Sequence, residues 1–354
     1  MTVPTLATLG TVSVLVLTTS IAPGAGTNPP PSSPPLMASS WIPASGATDQ
    51  RPMTINGLQR RLIGQGAQAF WIFYPKGAPS AKAPVVFFMH GWLAMDPYFY
   101  GGWIDHLVNR GSIVVYPVYQ TSKQDTPDAM RRNALEALQQ SVQVLNTGTQ
   151  TARPDWSRLS IVGHSFGGGL ATLMAADGRT AGLPTARLVL TLAPGWRGGA
   201  LPTQSLSQIP TSTYLLVVEG ADDELASSRQ TSAIFRATPQ LLSNRKELLV
   251  LGTNQDVPVN HSAPLSPLES YRNPLLSPGE VQRQRFLTFM VNKFSRQEPG
   301  RIDYVDRNGY WQILDRANQA LDRDESPLSA LSTSFRGVAG AGSLQNPRRL
   351  VVDP

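Results

Sequence analysis

Cysteine is absent from this 354-residue sequence, and histidine occurs only four times. The lack of thiolates excludes a disulfide framework, an iron–sulfur cluster, a thiolate zinc site and a cysteine nucleophile. The sequence also has no H-E-x-x-H motif and no G-x-G-x-x-G motif after a strand, so we expect no metal and no organic cofactor. A chain of this length buries a large core without a disulfide or a structural metal.

Charge is sparse as well, at 15% of the residues, and the formal net charge of +6 is spread thinly. Basic residues occur at most in pairs such as Arg60-Arg61, and Lys/Arg-rich runs are missing. We therefore expect no nucleic-acid partner. The sequence does not indicate an oligomeric state.

Lysine, arginine and glutamate are missing from the first fifty residues, where Asp49 is the only charge. The apolar run there is densest at Val12–Leu17, too short for a membrane-spanning helix, which needs about 20 apolar residues. This run fits the apolar core of a secretory signal, although the usual positive charges before it are missing. We predict a signal peptide at residues 1–26, a proline-rich disordered linker at residues 27–50 and a secreted protein. A membrane-anchored or cytoplasmic protein is the alternative.

Short β-branched or aromatic runs alternate with helical stretches in residues 51–300, the predicted catalytic domain. The clearest helix spans Pro127–Leu145, where apolar residues recur at helical spacing. This alternation is typical of an α/β domain with a mostly parallel central sheet and helices on both faces. The predicted strands are Ala69–Tyr74, Val85–Met89, Ser112–Tyr116, Leu159–Val162, Arg187–Leu192, Thr213–Glu219 and Glu247–Leu251.

The fourth of these strands leads into Gly163-His164-Ser165-Phe166-Gly167, and a helix of small residues follows. A G-x-S-x-G pattern between a strand and a helix is typical of a nucleophile elbow, a sharp turn that exposes a serine hydroxyl beyond the sheet. The two glycines avoid Cβ atoms that would clash in such a turn. An inert glycine-rich turn is the alternative, but this context favours Ser165 as a catalytic nucleophile.

The GHSFGG segment around Ser165 resembles the α/β-hydrolase superfamily. It is most similar to the dienelactone-hydrolase-like branch, which includes platelet-activating-factor acetylhydrolases, chlorophyllases and bacterial polyester hydrolases. The resemblance covers roughly residues 65–300 and implies the α/β-hydrolase fold and a serine-hydrolase mechanism. It also implies that serine, acid and histidine follow one another in this order along the chain.

The base is sought among the four histidines, and His261 lies in a polar loop after the last predicted strand, where such a base belongs. The strand Thr213–Glu219 ends in a turn that contains Asp222 and Asp223. Relatives typically read G-x-x-D at this turn, which selects Asp223 as the acid, with Asp222 as the alternative. The other histidines, upstream of Ser165 or next to it, are His90, His106 and His164.

An oxyanion hole needs two backbone N–H donors. The residue after the nucleophile, Phe166, is expected to supply one of them. By resemblance to the family's HG-x loop, Trp92 in His90-Gly91-Trp92 supplies the other. Trp196, which follows a predicted strand end, is a candidate substrate-binding residue together with Trp92. The other aromatic residues near Trp92 are candidates for the pocket or for the core, namely Tyr98, Phe99, Tyr100 and Trp103.

We therefore predict a serine hydrolase that cleaves small-molecule, lipid or polymeric carboxylic esters through an acyl-enzyme intermediate. A lipase or polyester hydrolase of the same mechanism, acyl transfer to an alcohol and a non-catalytic binding module are the alternatives. Polyester hydrolases usually carry a carboxyl-terminal disulfide, which this chain lacks. Residues 301–354 are predicted to form a helical extension, with an amphipathic helix at Tyr304–Leu321, that packs on the domain or belongs to a lid.

Overall fold

A mixed sheet of eleven strands lies at the centre of the part of the chain that the structure describes. This computed structural model describes residues 53–55, 58–75, 82–148, 152–226, 228–253, 257–295 and 302–353. The strands are β1 (Met53–Ile55), β2 (Leu58–Ile63), β3 (Phe70–Phe73), β4 (Ala83–Met89), β5 (Ile113–Pro117), β6 (Pro154–His164), β7 (Leu188–Leu192), β8 (Tyr214–Gly220), β9 (Lys246–Thr253), β10 (Arg336–Ala339) and β11 (Arg348–Val352). The predicted signal peptide at residues 1–26 and linker at residues 27–50 lie outside the described residues, so export stays a prediction.

The spatial order of the strands is β1-β2-β3-β5-β4-β6-β7-β8-β9-β11-β10. From β5 to β11 in this order, neighbouring strands are parallel. The first three strands form an antiparallel edge, and β10 lies antiparallel to β11 at the other edge. The carboxyl ends of the parallel strands therefore meet at one edge of the sheet, where loops from several strands come together.

Helices cover both faces of the sheet. They are α1 (Gly101–Asn109), α2 (Pro127–Thr147), α3 (Phe166–Asp177), α4 (Ser228–Arg236), α5 (Pro278–Ser295), α6 (Trp311–Leu321) and α7 (Pro327–Ser334). The apolar residues of α2 and α3 belong to one buried cluster, and those of α1 and α6 belong to the cluster on the opposite face. The mostly parallel sheet between two helical layers confirms the predicted α/β-hydrolase fold.

All seven predicted strands are present, and the helix predicted at Pro127–Leu145 extends to Thr147. The edge strands β1 and β2 were not predicted, because the pair Arg60-Arg61 interrupts the apolar pattern of Leu58–Ile63. Arg60 is nevertheless buried, with its guanidinium carbon 5.4 Å from the centroid of the Trp71 ring. Packing against an aromatic ring thus places a charged residue inside a strand, which the residue type alone does not indicate.

The carboxyl-terminal segment contains the predicted helical structure and also two strands that the sequence did not indicate. A π-helical turn at Val305–Tyr310 leads into α6, whose apolar residues pack on the core. Strand β11 then pairs in parallel with β9 and extends the main sheet. The side chains of Arg348 and Glu247 form an ion pair between these two strands. In the described part of this segment, β10 and β11 thus extend the sheet, and α6 packs on the core cluster of one face.

Candidate active site

Ser165 lies in a sharp turn between β6, which ends at His164, and α3, which begins at Phe166. Its backbone angles are φ 55° and ψ −124°, a region that non-glycine residues rarely adopt. Such strain persists only where surrounding contacts fix the backbone. The Ser165 amide donates to the Leu192 carbonyl oxygen at 2.9 Å, which ties the turn to the neighbouring strand β7.

The two glycines of the motif allow this turn because other backbone atoms lie very close to them. A Cβ atom on Gly163 would lie 2.1 Å from the Gly167 carbonyl oxygen. A Cβ atom on Gly167 would lie 2.2 Å from the carbonyl oxygens of both Met89 and His90. Backbone atoms cannot move aside as a flexible side chain can, so glycine is required at both positions.

Gly167→Ala is therefore expected to lower the free energy of unfolding by about 3 kcal/mol through steric overpacking. Thermal and urea unfolding of the full-length protein measure this change. Gly279→Ala is the matched control, because a Cβ atom at this helical position meets nothing within 4 Å. Equal unfolding midpoints for the two variants would contradict the close packing of the elbow.

Ser165, His261 and Asp223 form a continuous hydrogen-bond chain. The Ser165 hydroxyl oxygen lies 2.9 Å from His261 Nε2, and His261 Nδ1 lies 2.9 Å from Asp223 Oδ2. Because an ionised carboxylate only accepts, Nδ1 carries the proton, and Nε2 of the neutral ring accepts from the serine hydroxyl. The structure thus brings the three residues predicted from the sequence into one hydrogen-bond chain.

The Asp223 carboxylate is almost fully buried, with a side-chain exposure of 2%. Burial by itself raises the pKa of this carboxyl, but hydrogen bonds from His261 and from the backbone N–H groups of Leu225 and Ala226 outweigh it and bring the pKa below its ordinary value. The two backbone bonds to Oδ1 measure 2.9 and 2.8 Å. Asp223 therefore stays ionised and fixes the orientation of the His261 ring.

The neighbouring Asp222 has a different place in the structure. Its Oδ2 accepts from the Val259 amide at 2.8 Å, and its own amide donates to the Val259 carbonyl oxygen at 3.1 Å. Asp222 therefore joins the turn after β8 to the loop that carries His261, and it contacts neither the serine nor the His261 ring through any hydrogen bond among the described residues.

The predicted oxyanion donors are the amides of Trp92 and Phe166, and among the described residues neither amide has an acceptor. A Cβ atom on Gly195 would lie 3.5 Å from both the Phe166 nitrogen and the Ser165 hydroxyl oxygen. A Cβ atom on Gly91 would lie 3.6 Å from Ser165 Cβ. Gly91 and Gly195 therefore both lie beside Ser165, and Gly195 also lies close to the Phe166 amide, the candidate oxyanion donor.

The side chains of Phe166 and Trp92, the residues that carry these amides, both make aromatic contacts. The Trp196 ring stacks on Phe166 with centroids 4.8 Å apart and an interplanar angle of 19°. The guanidinium carbon of Arg197 lies 3.6 Å from the centroid of the Trp92 ring. Both tryptophans are only partly buried. They remain candidates for a substrate-binding wall, and the role of each stays a prediction.

The other aromatic residues near Trp92 are part of the core. Phe99, Tyr100 and Trp103 are buried, and only Tyr98 is partly exposed. Tyr100 nevertheless makes polar contacts close to the serine, because its hydroxyl oxygen lies 2.9 Å from the Gly91 nitrogen and 2.8 Å from His164 Nδ1. The sequence analysis assigned Tyr100 no polar role, and the aromatic cluster after Trp92 was the only signal in the sequence.

His90 and His106 do not touch the serine. His90 is buried, and its ring stacks on Tyr119 with centroids 3.9 Å apart. Burial lowers the pKa of His90 to about 4, against the effect of two backbone carbonyl oxygens, those of Gly91 and Val118, that lie 2.7 Å from its ring nitrogens. His106 Nε2 lies 2.8 Å from a carboxylate oxygen of Asp315. Both residues therefore have structural partners.

The described residues contain no group of three or more His, Asp or Glu side chains that could hold a metal ion. Among the helices of these residues, none is long and apolar enough to cross a membrane. Every part of the hydrogen-bond chain described above comes from side chains and backbone amides.

The fold and this site define an α/β-hydrolase-type protein. A model of the family described as PETase, PET hydrolase-like, matches residues 31–266, and the chain belongs to this family. The matched range includes Ser165, Asp223 and His261, and membership places the protein among esterase-type hydrolases.

This chain is also similar to solved structures. Two structures of inhibited esterase B from Lactobacillus rhamnosis are similar to it, one of them with a tributyrin phosphonate. Both share 15% sequence identity with this chain. The first covers 70% of this chain and 89% of the esterase, with a TM-score of 0.43. The second covers 69% and 90%, with a TM-score of 0.45.

Proposed function

We propose that this protein is a serine hydrolase that cleaves carboxylic esters with Ser165 as nucleophile, His261 as general base and Asp223 as the acid that orients it. The observation that carries this proposal is the hydrogen-bond chain of 2.9 and 2.9 Å through these side chains, which ends at a serine in a strained elbow. Membership of the PET hydrolase-like family supports the same reaction class.

In the proposed reaction, the Ser165 oxygen attacks the ester carbonyl carbon while His261 Nε2 takes the hydroxyl proton. The carbonyl oxygen becomes an oxyanion, which the amides of Trp92 and Phe166 stabilise by hydrogen bonds. His261 then gives its proton to the leaving alkoxide, and the C–O bond of the ester breaks. An alcohol leaves, and the acyl group stays bound to Ser165.

Water then releases the acyl group in a second half-reaction, in which water is the nucleophile and the Ser165 oxygen is the leaving group. His261 takes a proton from the water as its oxygen attacks the acyl carbon, and Nε2 then returns a proton to the Ser165 oxygen. The products are a carboxylic acid and the free enzyme. Throughout both halves the Asp223 carboxylate accepts from His261 Nδ1 and stabilises the imidazolium that forms.

The substrate class that we propose is an ester with a bulky or aromatic group beside the scissile carbonyl. Two partly exposed tryptophan rings support this class: Trp196 stacks on the ring of Phe166, and Trp92 is itself the second candidate oxyanion residue. The family description, which names PET hydrolases, agrees with it.

A series of chromogenic esters with increasing acyl size, measured with purified protein, tests this function. We expect turnover of esters and a single covalent fluorophosphonate label on Ser165. A protein that binds esters but neither turns them over nor takes the label would instead be a binding module on a hydrolase scaffold.

Trp196→Ala is expected to raise KM for bulky aromatic esters by about 10-fold, while acetate esters keep nearly the same KM and kcat. Loss of apolar contact far from the reacting carbon removes ground-state and transition-state binding equally, which appears in KM. The melting temperature is measured beside both kinetic series. A large fall in stability with equal damage to all esters would show that Trp196 acts as a core residue, and unchanged kinetics would remove it from the site.

A further inference from the structure

His164 connects the serine elbow to the loop of the proposed base. Its side chain is buried, with an exposure of 3%, and its ring centroid lies 5.0 Å from that of His261. His164 Nε2 lies 2.8 Å from the backbone carbonyl oxygen of His261. His164 does not bond to the Ser165 hydroxyl, which is occupied by the His261 ring.

The partners of His164 define its tautomer. A backbone carbonyl oxygen only accepts hydrogen bonds, so Nε2 must carry the proton that faces the His261 carbonyl. In the neutral ring Nδ1 is then an acceptor, and the hydroxyl 2.8 Å from it belongs to Tyr100. Burial and the adjacent His261 lower the pKa of His164 to about 3, which agrees with a neutral ring.

Tyr100 completes the chain toward the candidate oxyanion loop. Its hydroxyl donates to His164 Nδ1, and its oxygen accepts from the Gly91 amide at 2.9 Å. Gly91 directly precedes Trp92, the candidate oxyanion donor. In every hydrogen bond of this series, a group that can donate faces a group that can accept. Because Tyr100 is fully buried, water does not compete for its hydrogen bonds.

We propose that Tyr100 and His164 are positioning residues, which fix the loop of His261 and the loop of Gly91 and Trp92 relative to Ser165. They act through a hydrogen-bond chain that runs from the Gly91 N–H through the Tyr100 hydroxyl and the His164 ring to the His261 carbonyl. This proposal rests on the proposed function, because its effect is on the geometry of that reaction. Neither residue touches the reacting atoms. A shift of about 1 Å in a reacting group lowers rates by about 100-fold, which is the scale on which such positioning acts.

Two substitutions at His164 test the hydrogen bonds of Nδ1 and Nε2 one at a time. In His164→Gln the side-chain amide nitrogen reaches the place of Nε2 and donates to the His261 carbonyl. In His164→Asn the shorter amide offers an oxygen near the place of Nδ1, which accepts from Tyr100, but leaves the His261 carbonyl without its donor. The two variants therefore retain opposite halves of the chain.

We expect His164→Asn to lower kcat by about 100-fold with KM changed less than about 3-fold, and His164→Gln to recover at least about 10-fold of that loss. Melting temperatures are measured for both variants. Equal kcat values for the two variants would overturn the proposal, because a histidine with a merely structural role would give the same kcat in both. An increase in KM with unchanged kcat would also overturn it.

Tyr100→Phe removes the hydroxyl and leaves the ring in place. We expect kcat to fall about 10-fold with little change in KM, since the Gly91 amide and His164 Nδ1 both lose their partner. Tyr116→Phe is the matched control, because this buried hydroxyl donates to the Ala94 carbonyl and does not contact His164. Equal effects of the two variants on kcat would contradict the role of Tyr100.

A measurement that does not depend on ester turnover keeps this proposal distinct from the proposed function. Imidazole ¹⁵N NMR of the full-length protein assigns the tautomer of each of the four histidines, with His164→Gln identifying the His164 signals. We expect a neutral Nε2–H tautomer for His164 from pH 5 to 8, because the His261 carbonyl accepts from Nε2. In Tyr100→Phe we expect the same tautomer but a changed ¹⁵N chemical shift of Nδ1, which loses its hydrogen-bond donor. An Nδ1–H tautomer or an imidazolium at His164 would contradict the proposed series of hydrogen bonds, even if the enzyme were fully active.

Discussion

Ser165→Ala is expected to lower kcat for ester hydrolysis by about 10⁶-fold, the scale on which loss of the nucleophile acts in a serine triad. The substitution removes the oxygen that attacks the carbonyl and forms the acyl-enzyme, and alanine fits the same backbone. Stopped assays with high enzyme concentrations measure the residual rate, which we expect to exceed the rate in water because the Trp92 and Phe166 amides remain.

The same variant should lose covalent labelling by a fluorophosphonate. Ser141→Ala serves as the control, because among the described residues its hydroxyl bonds to the Leu138 carbonyl of its own helix, at 2.7 Å, and to no group of the site. This variant should be labelled and turn over esters as the unsubstituted protein does. Labelling or turnover that persists in Ser165→Ala would mean that another residue is the nucleophile.

Asp223→Asn is expected to lower kcat by about 10⁴-fold, as the equivalent change does in the reference triad. The amide group of asparagine cannot both accept from His261 Nδ1–H and keep the two backbone bonds that the carboxylate oxygen Oδ1 now accepts. The His261 ring then adopts the wrong tautomer, with a proton on the nitrogen that must accept from Ser165. Steady-state kinetics with a small acetate ester measure the effect without a contribution from bulky groups.

Asp222→Asn, the same substitution at the adjacent aspartate, is the control for Asp223→Asn. Its side-chain oxygen still accepts from the Val259 amide, so we expect kcat within about 3-fold of the unsubstituted protein, in line with one retained neutral hydrogen bond. Asp222→Ala removes that acceptor and should lower the melting temperature. A larger loss of turnover in Asp222→Asn than in Asp223→Asn would reverse the assignment of the acid.

Local sequence patterns were sufficient for the elements that carry an apolar run or a helical apolar spacing of their own. The apolar runs of the seven predicted strands and the helical spacing of Pro127–Leu145 depend on burial of each element by itself. Strand β2 (Leu58–Ile63) was missed because Arg60-Arg61 interrupts its apolar pattern, and strand β11 was missed because it pairs with β9, about 100 residues away in the chain. Leu350 is buried only because β11 lies beside β9.

At the candidate site, the sequence by itself determined the elbow. Glycine at positions 163 and 167, with a strand before and a helix after, leaves few backbone paths other than the strained turn at Ser165. The order of the acid and the histidine along the chain came from the family resemblance, which reduced the search to two aspartates and one loop histidine.

The family resemblance favoured Asp223 over Asp222, but only the tertiary structure shows which carboxylate bonds to His261 and gives Tyr100 and His164 their contacts. Adjacent residues in a turn have nearly the same local sequence environment, and the direction of each carboxylate depends on the loop that packs against it, here the one with Val259 and His261. Tyr100 lies 64 residues from its partner His164 in the chain. A hydrogen bond between such distant residues depends on how the helices and strands pack together, and no short sequence pattern carries that information.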